Sequence, residues 1–377
     1  MHVLFWGTYD SSKPRLRILQ QGLRYAGVRI TEIHASVWDD VKDKSQLQGF
    51  GPRLRLMLRW FAAYPRLIAQ LFRAEKADLI VVGYPGIIDI FAASLICRLR
   101  RIPIVWDVYL SLYDTIVEDR RLLRRESPAA LALRWIEGWA LRCPALIFMD
   151  TEANARRIES IFSLPKGHCG AVWVGVELEH FASPQITDKS SHSPSLRVLF
   201  YGQFIPLHGI STIVEAARRL ADAEVNWTLI GSGQDAPRIR SMLTSMPLPK
   251  VRWIDWVQYH DLKLWISEAD LCLGIFGASG KAASVIPNKV FQIIAAGKPL
   301  VTRDSPAIRE LLDPAPSCVY LIPPEDPDAL VSAVRAHLKV RENVGTFGCH
   351  RNLVGRIDAV AIGGQFMNLI QTRVIKQ

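Results

Sequence analysis

The stretch RVLFYGQFIPLHG, residues 197–209, starts as an apolar run and stops at a glycine. Val198 to Tyr201 have the β-branched and aromatic character of a strand covered on both faces. Gly202 then lets the backbone turn sharply or approach a ligand. A helical pattern follows in ISTIVEAARRLADA (210–223), and a second apolar run in VNWTLIGSG (225–233). The start of the chain has the same grammar: HVLFWGTYD (2–10), LRILQQGLRYAG (16–27), VRITEI (28–33). Alternation continues through ADLIVVGYPG, IPIVWDVY, PALIFMD and GAVWVGV, then KVRWIDWV, ADLCLGIFG, KPLVTRD and CVYLIPP. Strands that alternate with helical patterns imply parallel sheets joined by right-handed crossovers. The expected fold is therefore α/β, with two Rossmann-like doubly wound domains facing across a cleft and ligands at the carboxyl ends of the strands.

SPQITDKSSHSPS (183–195) is rich in Ser and Pro and nearly lacks hydrophobes, which marks a linker. The expected organisation is a first domain at 1–183, a linker at 184–195 and a second domain at 196–350. Residues 351–377 are expected to form a C-terminal helix packing back on the first domain. A length of 377 residues suits two domains of ordinary size, and 49% hydrophobic with 22% charged residues describes a folded chain. The six cysteines (97, 143, 169, 272, 318, 349) are scattered without a CxxC pair, which argues against a metal or disulfide framework and fits a reducing compartment. The paired acids at 39–40 and 325–328 fall in loops without convergent partners, so no metal is expected. MHVLFWGTYD has no basic flank before a long apolar run, so no signal peptide is expected. The most apolar stretch, Ala77 to Cys97, is interrupted by Asp78, Pro85 and Asp89 and falls short of the ~20 apolar residues of a spanning helix.

The net charge of +10 is unevenly placed. Between Pro52 and Lys76, five Arg and one Lys face a single Glu, interleaved with Leu, Met, Trp, Phe and Tyr. DRRLLRRESPAALALRWIEGWALR (119–142) repeats the character. Two readings stand: a helix with a solvated basic edge, or a face that rests on anionic lipid, where each basic residue contributes ~1 kcal/mol. No nucleic-acid-binding motif accompanies the charge, so nucleic acid is not an expected partner.

IPNKVFQIIAAGKPLVTRD (286–304) is a sharply framed helix running into a buried strand. Pro287 suits the first turn, Val290, Phe291, Ile293 and Ile294 give an apolar face, and Gly297 with Pro299 ends the helix. These stretches together resemble GT-B glycosyltransferases, closest to the retaining family 4 enzymes of bacterial polysaccharide and glycolipid synthesis. The resemblance rests on the YGQFIPLHG loop and on PNKVFQIIAAGKPLVT, following IGSG and EADLCL in that order.

It implies a nucleotide-diphosphate sugar as donor, no cofactor, and a glycan or lipid-linked acceptor. It also implies a cytoplasmic protein, peripheral on the inner face of the membrane. The family's Arg and Lys around the donor diphosphate fall on Gln203 and His208, and its two glutamates fall on Ser284 and Gln292. A subset of the family carries PNK in place of the first glutamate, matched by Pro287, Asn288 and Lys289. Lys281 and Lys289 could supply the missing positive charge, with backbone donors at Gly202 and near Gly209. His208, with an ordinary pKa of ~6.5, would be charged beside a phosphate. Gln292 would bind ribose with an amide instead of an acid, losing ~1 kcal/mol of charge assistance.

In the first domain, Gly7 lets a ligand approach, and Tyr9, Lys13, Arg15 and Arg17 stand in place of the family's glycine-rich loop, with Tyr9, Arg15 and Arg17 as acceptor-binding candidates. Many family members carry a His where Tyr109 stands. Asp107 shares its strand face and is costly there unless paired. Asp107 and Tyr109 are the catalytic candidates, for sugar positioning, and Asp114 is a further acceptor-side candidate. GSGQDA (231–236) has part of the dinucleotide fingerprint, but no acidic residue ends the next strand, so NAD is not expected. Two other functions keep the same architecture: a sugar-nucleotide 2-epimerase, and a protein that binds sugar nucleotide or a partner enzyme without turnover.

Overall fold

The computed structural model describes the chain except residues 12, 38–49, 183–194, 314, 317, 342–348 and 376–377, and except the side chains of 50, 52–57 and 341. The expected linker and the acids at 39–40 lie outside the described residues, as do the side chains of Arg53 and Arg55. Two compact units emerge. One comprises residues 1–117, 123–174 and 359–377; the other comprises 118–122 and 175–358.

The first unit holds six parallel strands: β1 (His2–Gly7), β2 (Arg29–His34), β3 (Leu79–Val82), β4 (Ile104–Asp107), β5 (Leu146–Met149) and β6 (Cys169–Ala171), in the order β2-β1-β3-β4-β5-β6. The sheet reverses direction of growth at β1, where Val3 pairs Leu79 on one side and Ile30 on the other. Ligands in such sheets bind beyond the carboxyl ends at this reversal. Period-two alternation divides the core. Leu4, Trp6, Ile80 and Val82 face one hydrophobic layer with helices Phe50–Arg73, Ile87–Arg100 and Pro128–Ala140. Val3, Phe5, Leu79 and Val81 face the other, with helices Pro14–Tyr25 and Ala359–Ile370.

The second unit has β7 (Leu196–Tyr201), β8 (Val225–Ile230), β9 (Val251–Ile254), β10 (Leu271–Leu273), β11 (Leu300–Arg303) and β12 (Val319–Ile322), all parallel, in the order β12-β11-β10-β7-β8-β9. Its reversal lies between β7 and β10, so the ends of these strands, near Gly202 and Gly274, are where such a sheet takes a ligand. Several helices begin with local chemistry legible in sequence. Ser127, Thr151 and Ser305 each accept a hydrogen bond from the backbone N–H three residues on. Pro287 precedes the helix Asn288–Ala295 as its cap and does not sit in its first turn, and Gly297 takes φ +63 to leave it.

The expected single helix over 351–377 is two helices. Arg351–Ile357 belongs with the second unit, and Ala359–Ile370 with the first. Asp358 between them is extended (φ −75, ψ 171), which breaks the helical hydrogen bonding. The second of these helices meets Pro14–Tyr25 at a pair of glycines: a Cβ on Gly22 would lie 1.9 Å from the Ala359 carbonyl oxygen, and one on Gly363 2.5 Å from the Gly22 carbonyl carbon. Neither obstacle is a flexible side-chain end, so the helices must separate to admit a methyl group. Gly22→Ala is expected to lower stability by roughly 1–3 kcal/mol, seen as a lower urea midpoint, whereas Gly27→Ala, with nothing within 4 Å of the added carbon, should show only the strain of its φ of +72. No single helix among the described residues is long and apolar enough to cross a membrane.

Candidate functional site

In the first unit, a small cavity opens beyond the carboxyl ends of β1, β3 and β4, lined by Tyr9, Asp10, Lys13, Arg15, Leu16, Tyr84, Asp107 and Tyr109. Four of the residues singled out in the sequence therefore converge there. Their chemistry differs from expectation. Arg15, in the first turn of its helix, is only 3% exposed, and its Nε lies 2.9 Å from both carboxylate oxygens of Asp107. Its other nitrogens donate to the Val172 carbonyl (2.8 Å) and the Met149 carbonyl (3.2 Å). The guanidinium is thus spent on the ends of β4 and β5 and on the chain after β6. Burial pushes the Asp107 carboxyl up, and the Arg15 charge opposes that. A buried charge persists only when paired in this way. Three of the five guanidinium N–H donors are thereby taken up inside the fold, where they hold Asp107 and the ends of the strands.

Tyr109 stands at φ +53, a conformation uncommon for a bulky residue. Its ring meets Tyr84 edge-on at 5.8 Å, beneath the Arg15 guanidinium at 5.3 Å. Burial pushes its phenol up, so it stays neutral at physiological pH. Tyr9 is buried, stacks on His34 at 4.2 Å and donates its hydroxyl to Glu32 at 2.7 Å. Gly7 does not make room for a ligand: a Cβ there would lie 2.7 Å from the Asp89 carboxylate. That carboxylate, fully buried, accepts from the Thr8 backbone and hydroxyl and from Tyr64. Arg17 is exposed, with a 3.3 Å bond to the Ser11 carbonyl, and is absent from the cavity lining. Asp114 is buried in an ion pair with Arg157 at 2.6 Å, so its acceptor-side role is not supported by an available carboxylate.

In the second unit, the residues around the β7–β10 reversal form a cationic nest. Lys289 is 5% exposed; its Nζ lies 3.7 Å from the centroid of the Phe200 ring and 3.4 Å from the Gly274 carbonyl. No carboxylate among the described residues is within ion-pair distance of it. Burial accordingly drives its ammonium well below the usual lysine range. Gly202, at φ +140, is the floor: a Cβ would lie 2.9 Å from Lys289 Nζ and 3.1 Å from His208 Cε1. His208 is buried and pairs Nδ1 with the Gln203 carbonyl. Burial and the nearby Lys289 charge hold it well below the usual histidine value, so without an anion it is neutral, not charged.

Gln203 is exposed, and its Oε1 accepts from Arg120 at 3.3 Å. Arg120 belongs to the short segment 118–122 that packs with the second unit, and its Nε is buried without a hydrogen-bond partner. It also contributes to the field that lowers His208. Sequence reading missed Arg120 because it sits some eighty positions before Gln203; the basic run at 119–142 was the only signal. Gln292 is buried, and its Oε1 accepts from the Tyr201 hydroxyl at 3.0 Å. A carboxylate at that position would accept the same bond. Asn288 is the first residue of the Lys289 helix and is half-buried. Lys281 is buried on the short helix Gly280–Ser284 after β10, capped by Ser279, which in turn donates to Asp119 at 2.7 Å. A separate open groove, lined by Trp256, Val257, Gln258, Asp261, Leu264, Trp265 and Glu268, contains none of the residues picked from sequence.

The first unit matches the family model "Glycosyl transferase 4-like domain" over residues 10–170, and the second matches "Glycosyl transferases group 1" over residues 195–339. The chain belongs to the GT4-type glycosyltransferases of GT-B fold. Over 143 residues it is 25% identical to WcaI of Escherichia coli K12, described as a colanic acid biosynthesis glycosyl transferase; the match covers 37% of this chain and 35% of that protein. The chain thus spans about a third of that curated relative. Among solved structures, sucrose-phosphate synthase from Thermosynechococcus elongatus superposes with a TM-score of 0.71 at 16% identity, covering 100% of this chain and 99% of that one. HepE of Anabaena in complex with UDP-glucose superposes with a TM-score of 0.65 at 13% identity, covering 99% and 100%. These two likenesses establish the two-domain fold.

Proposed function

We propose that this protein transfers a sugar, with retention, from a nucleotide-diphosphate donor to a glycan or lipid-linked acceptor in polysaccharide or glycolipid assembly. The observation that carries this reading is Lys289: a buried ammonium with no carboxylate at ion-pair distance among the described residues, beside a left-handed glycine, where parallel sheets take their ligands. An isolated buried cation is costly, and a diphosphate removes that cost by supplying the missing charge. His208 gains a proton beside the same phosphate, and Arg120 presents an unpartnered Nε nearby. Together they would stabilise the charge that develops on the departing diphosphate. Tyr109, neutral and held over the first unit's cavity, is the candidate for positioning the sugar or acceptor. Asp107 serves indirectly, by holding Arg15.

Incubation with a panel of UDP-, GDP-, ADP- and dTDP-sugars and a lipid-linked acceptor tests the reading by product formation. Thermal shift against the same panel measures binding, which stabilises by mass action. Binding without product would identify a non-catalytic member, and inversion at C2 of the donor sugar without transfer would identify an epimerase.

The second part of the proposal is a cytoplasmic location with the first unit resting on anionic lipid. Three helices form one layer over the same face of the sheet, and their outer sides keep large hydrophobes in water: Phe61 and Phe72; Leu95 and Leu99; Trp135 and Trp139, each 56–69% exposed. Exposed Arg59, Arg66 and Arg73 lie along the first of them. Interfacial aromatic and aliphatic groups flanked by arginine suit shallow insertion beside acidic headgroups. Trp135→Ser with Trp139→Ser is expected to reduce sedimentation with anionic vesicles several-fold, and Arg59→Gln with Arg66→Gln to weaken its salt sensitivity. Equal retention on anionic and neutral vesicles, before and after substitution, would count against lipid as the occupant.

A further inference from the structure

The scattered cysteines gave no metal signature in sequence, yet two of them meet a histidine in the second unit, far from the donor nest. Cys318 stands immediately before β12, and Cys349 and His350 stand immediately before the helix Arg351–Ile357. The ligand atoms of the three residues lie within 4.8 Å of one another, and Cys318 Sγ is 3.8 Å from either ring nitrogen of His350. His350 is 3% exposed, at φ +68, and its Nε2–H donates to the Lys298 carbonyl at 2.8 Å. That bond leaves the Nδ1 lone pair for another partner.

We propose that Cys318, Cys349 and His350 form a binding site for a thiophilic divalent cation, zinc in particular. Tetrahedral zinc takes sulfur at about 2.3 Å and imidazole nitrogen at about 2.0 Å, which sets ligand–ligand edges of roughly 3.6 Å. The Cys318–His350 separation is already close to this value, so closure needs adjustments of side chains and not of strands. A metal-bound histidine characteristically donates its other N–H to a carbonyl or carboxylate, which fixes tautomer and ring orientation. His350 already makes that bond, a feature that a simple thiol pair would not require. Binding would release the two thiol protons, so two thiolates balance the divalent charge and the imidazole stays neutral. Both cysteines are half-buried, which leaves water access for a fourth ligand.

The position indicates a clasp and not a reaction centre. Lys298 leads into β11, Cys318 leads into β12, and Lys289 lies on the helix that ends just before Lys298. The site therefore joins the amino ends of two strands to the start of a helix, while the donor nest lies at the carboxyl ends. A bound ion would fasten the turn that follows the donor-site helix.

The test uses the full chain, reduced, stripped with chelator and kept free of oxygen. Cobalt(II) titration should give thiolate-to-cobalt charge transfer and the strong visible bands of tetrahedral coordination at one equivalent per chain, both displaced by zinc. Cys318→Ser should weaken zinc binding on the order of 100-fold, and zinc should raise the melting temperature of the parent chain but not of this variant. Cys143→Ser, at an exposed cysteine outside the cluster, should behave as the parent. If Cys318→Ser fails to fold, Cys349→Ser serves in its place. Absence of the charge-transfer band, its persistence in the cysteine variants, or ready formation of a Cys318–Cys349 disulfide that zinc does not prevent would overturn the proposal.

Discussion

Lys289→Ala is expected to weaken binding of a nucleotide diphosphate at least tenfold, about 1.4 kcal/mol, while the unliganded protein keeps or gains stability. In most proteins, removing a buried charge leaves a partner stranded. Here no carboxylate among the described residues depends on Lys289; its neighbours are the Phe200 ring, the Gly274 carbonyl and the Gly202 backbone. The ammonium carries a desolvation cost that only a ligand anion offsets, so its loss should trade affinity for stability. The charge state gives an independent sign. Burial lowers both Lys289 and His208, and a bound diphosphate raises both, so binding should take up protons. Affinity should strengthen as pH falls between the liganded and unliganded values. Calorimetry in buffers of different ionisation enthalpy would read this as an apparent enthalpy that varies with the buffer. Unchanged affinity in Lys289→Ala, with no proton uptake by the parent, would remove the diphosphate from this nest.

The fold was legible because its signals are local and repeat. Apolar runs ending in glycine, prolines and hydroxyl caps at helix starts, and alternation of strand with helix all act within a few residues. The C-terminal boundary was not, because Asp358 is an ordinary residue in an extended conformation, and only contacts assign one flank to each unit. The second-unit site was partly legible, since Gly202, His208, Lys289 and Gln292 come from two motifs at fixed offsets. What escaped was set by long-range pairing. Asp89 occupies the space that Gly7 leaves, Arg157 takes Asp114, and Arg120 arrives from a distant segment. Cys318 and His350 likewise lie far apart in sequence and meet only through the order of β11 and β12. A sequence shows which groups are costly to bury, but the partner that makes burial tolerable can lie anywhere along the chain.

Arg15 shows this most sharply, and it carries the largest expected effect on stability. If Arg15 were an acceptor ligand, Arg15→Ala would cost activity and leave folding alone. Its four hydrogen bonds instead run to Asp107 and to the carbonyls of Met149 and Val172. Truncation leaves the Asp107 carboxylate buried and unpaired, for which about 3–5 kcal/mol is the usual cost. The effect should depend on pH in a definite direction. Burial raises Asp107 and Arg15 alone opposes it, so without Arg15 the folded carboxyl binds its proton more tightly still. A group whose folded value is raised contributes its stability below the unfolded value, near 4, and loses it as pH rises through the folded value. The variant's deficit should therefore be largest at neutral and alkaline pH and shrink toward pH 5. Asp107→Asn in the same background should recover much of the loss at neutral pH, because it removes the stranded charge without removing bulk. Urea unfolding of the parent, Arg15→Ala and the double variant across that pH range decides the matter. A parent-like midpoint for Arg15→Ala throughout would return the guanidinium to the acceptor.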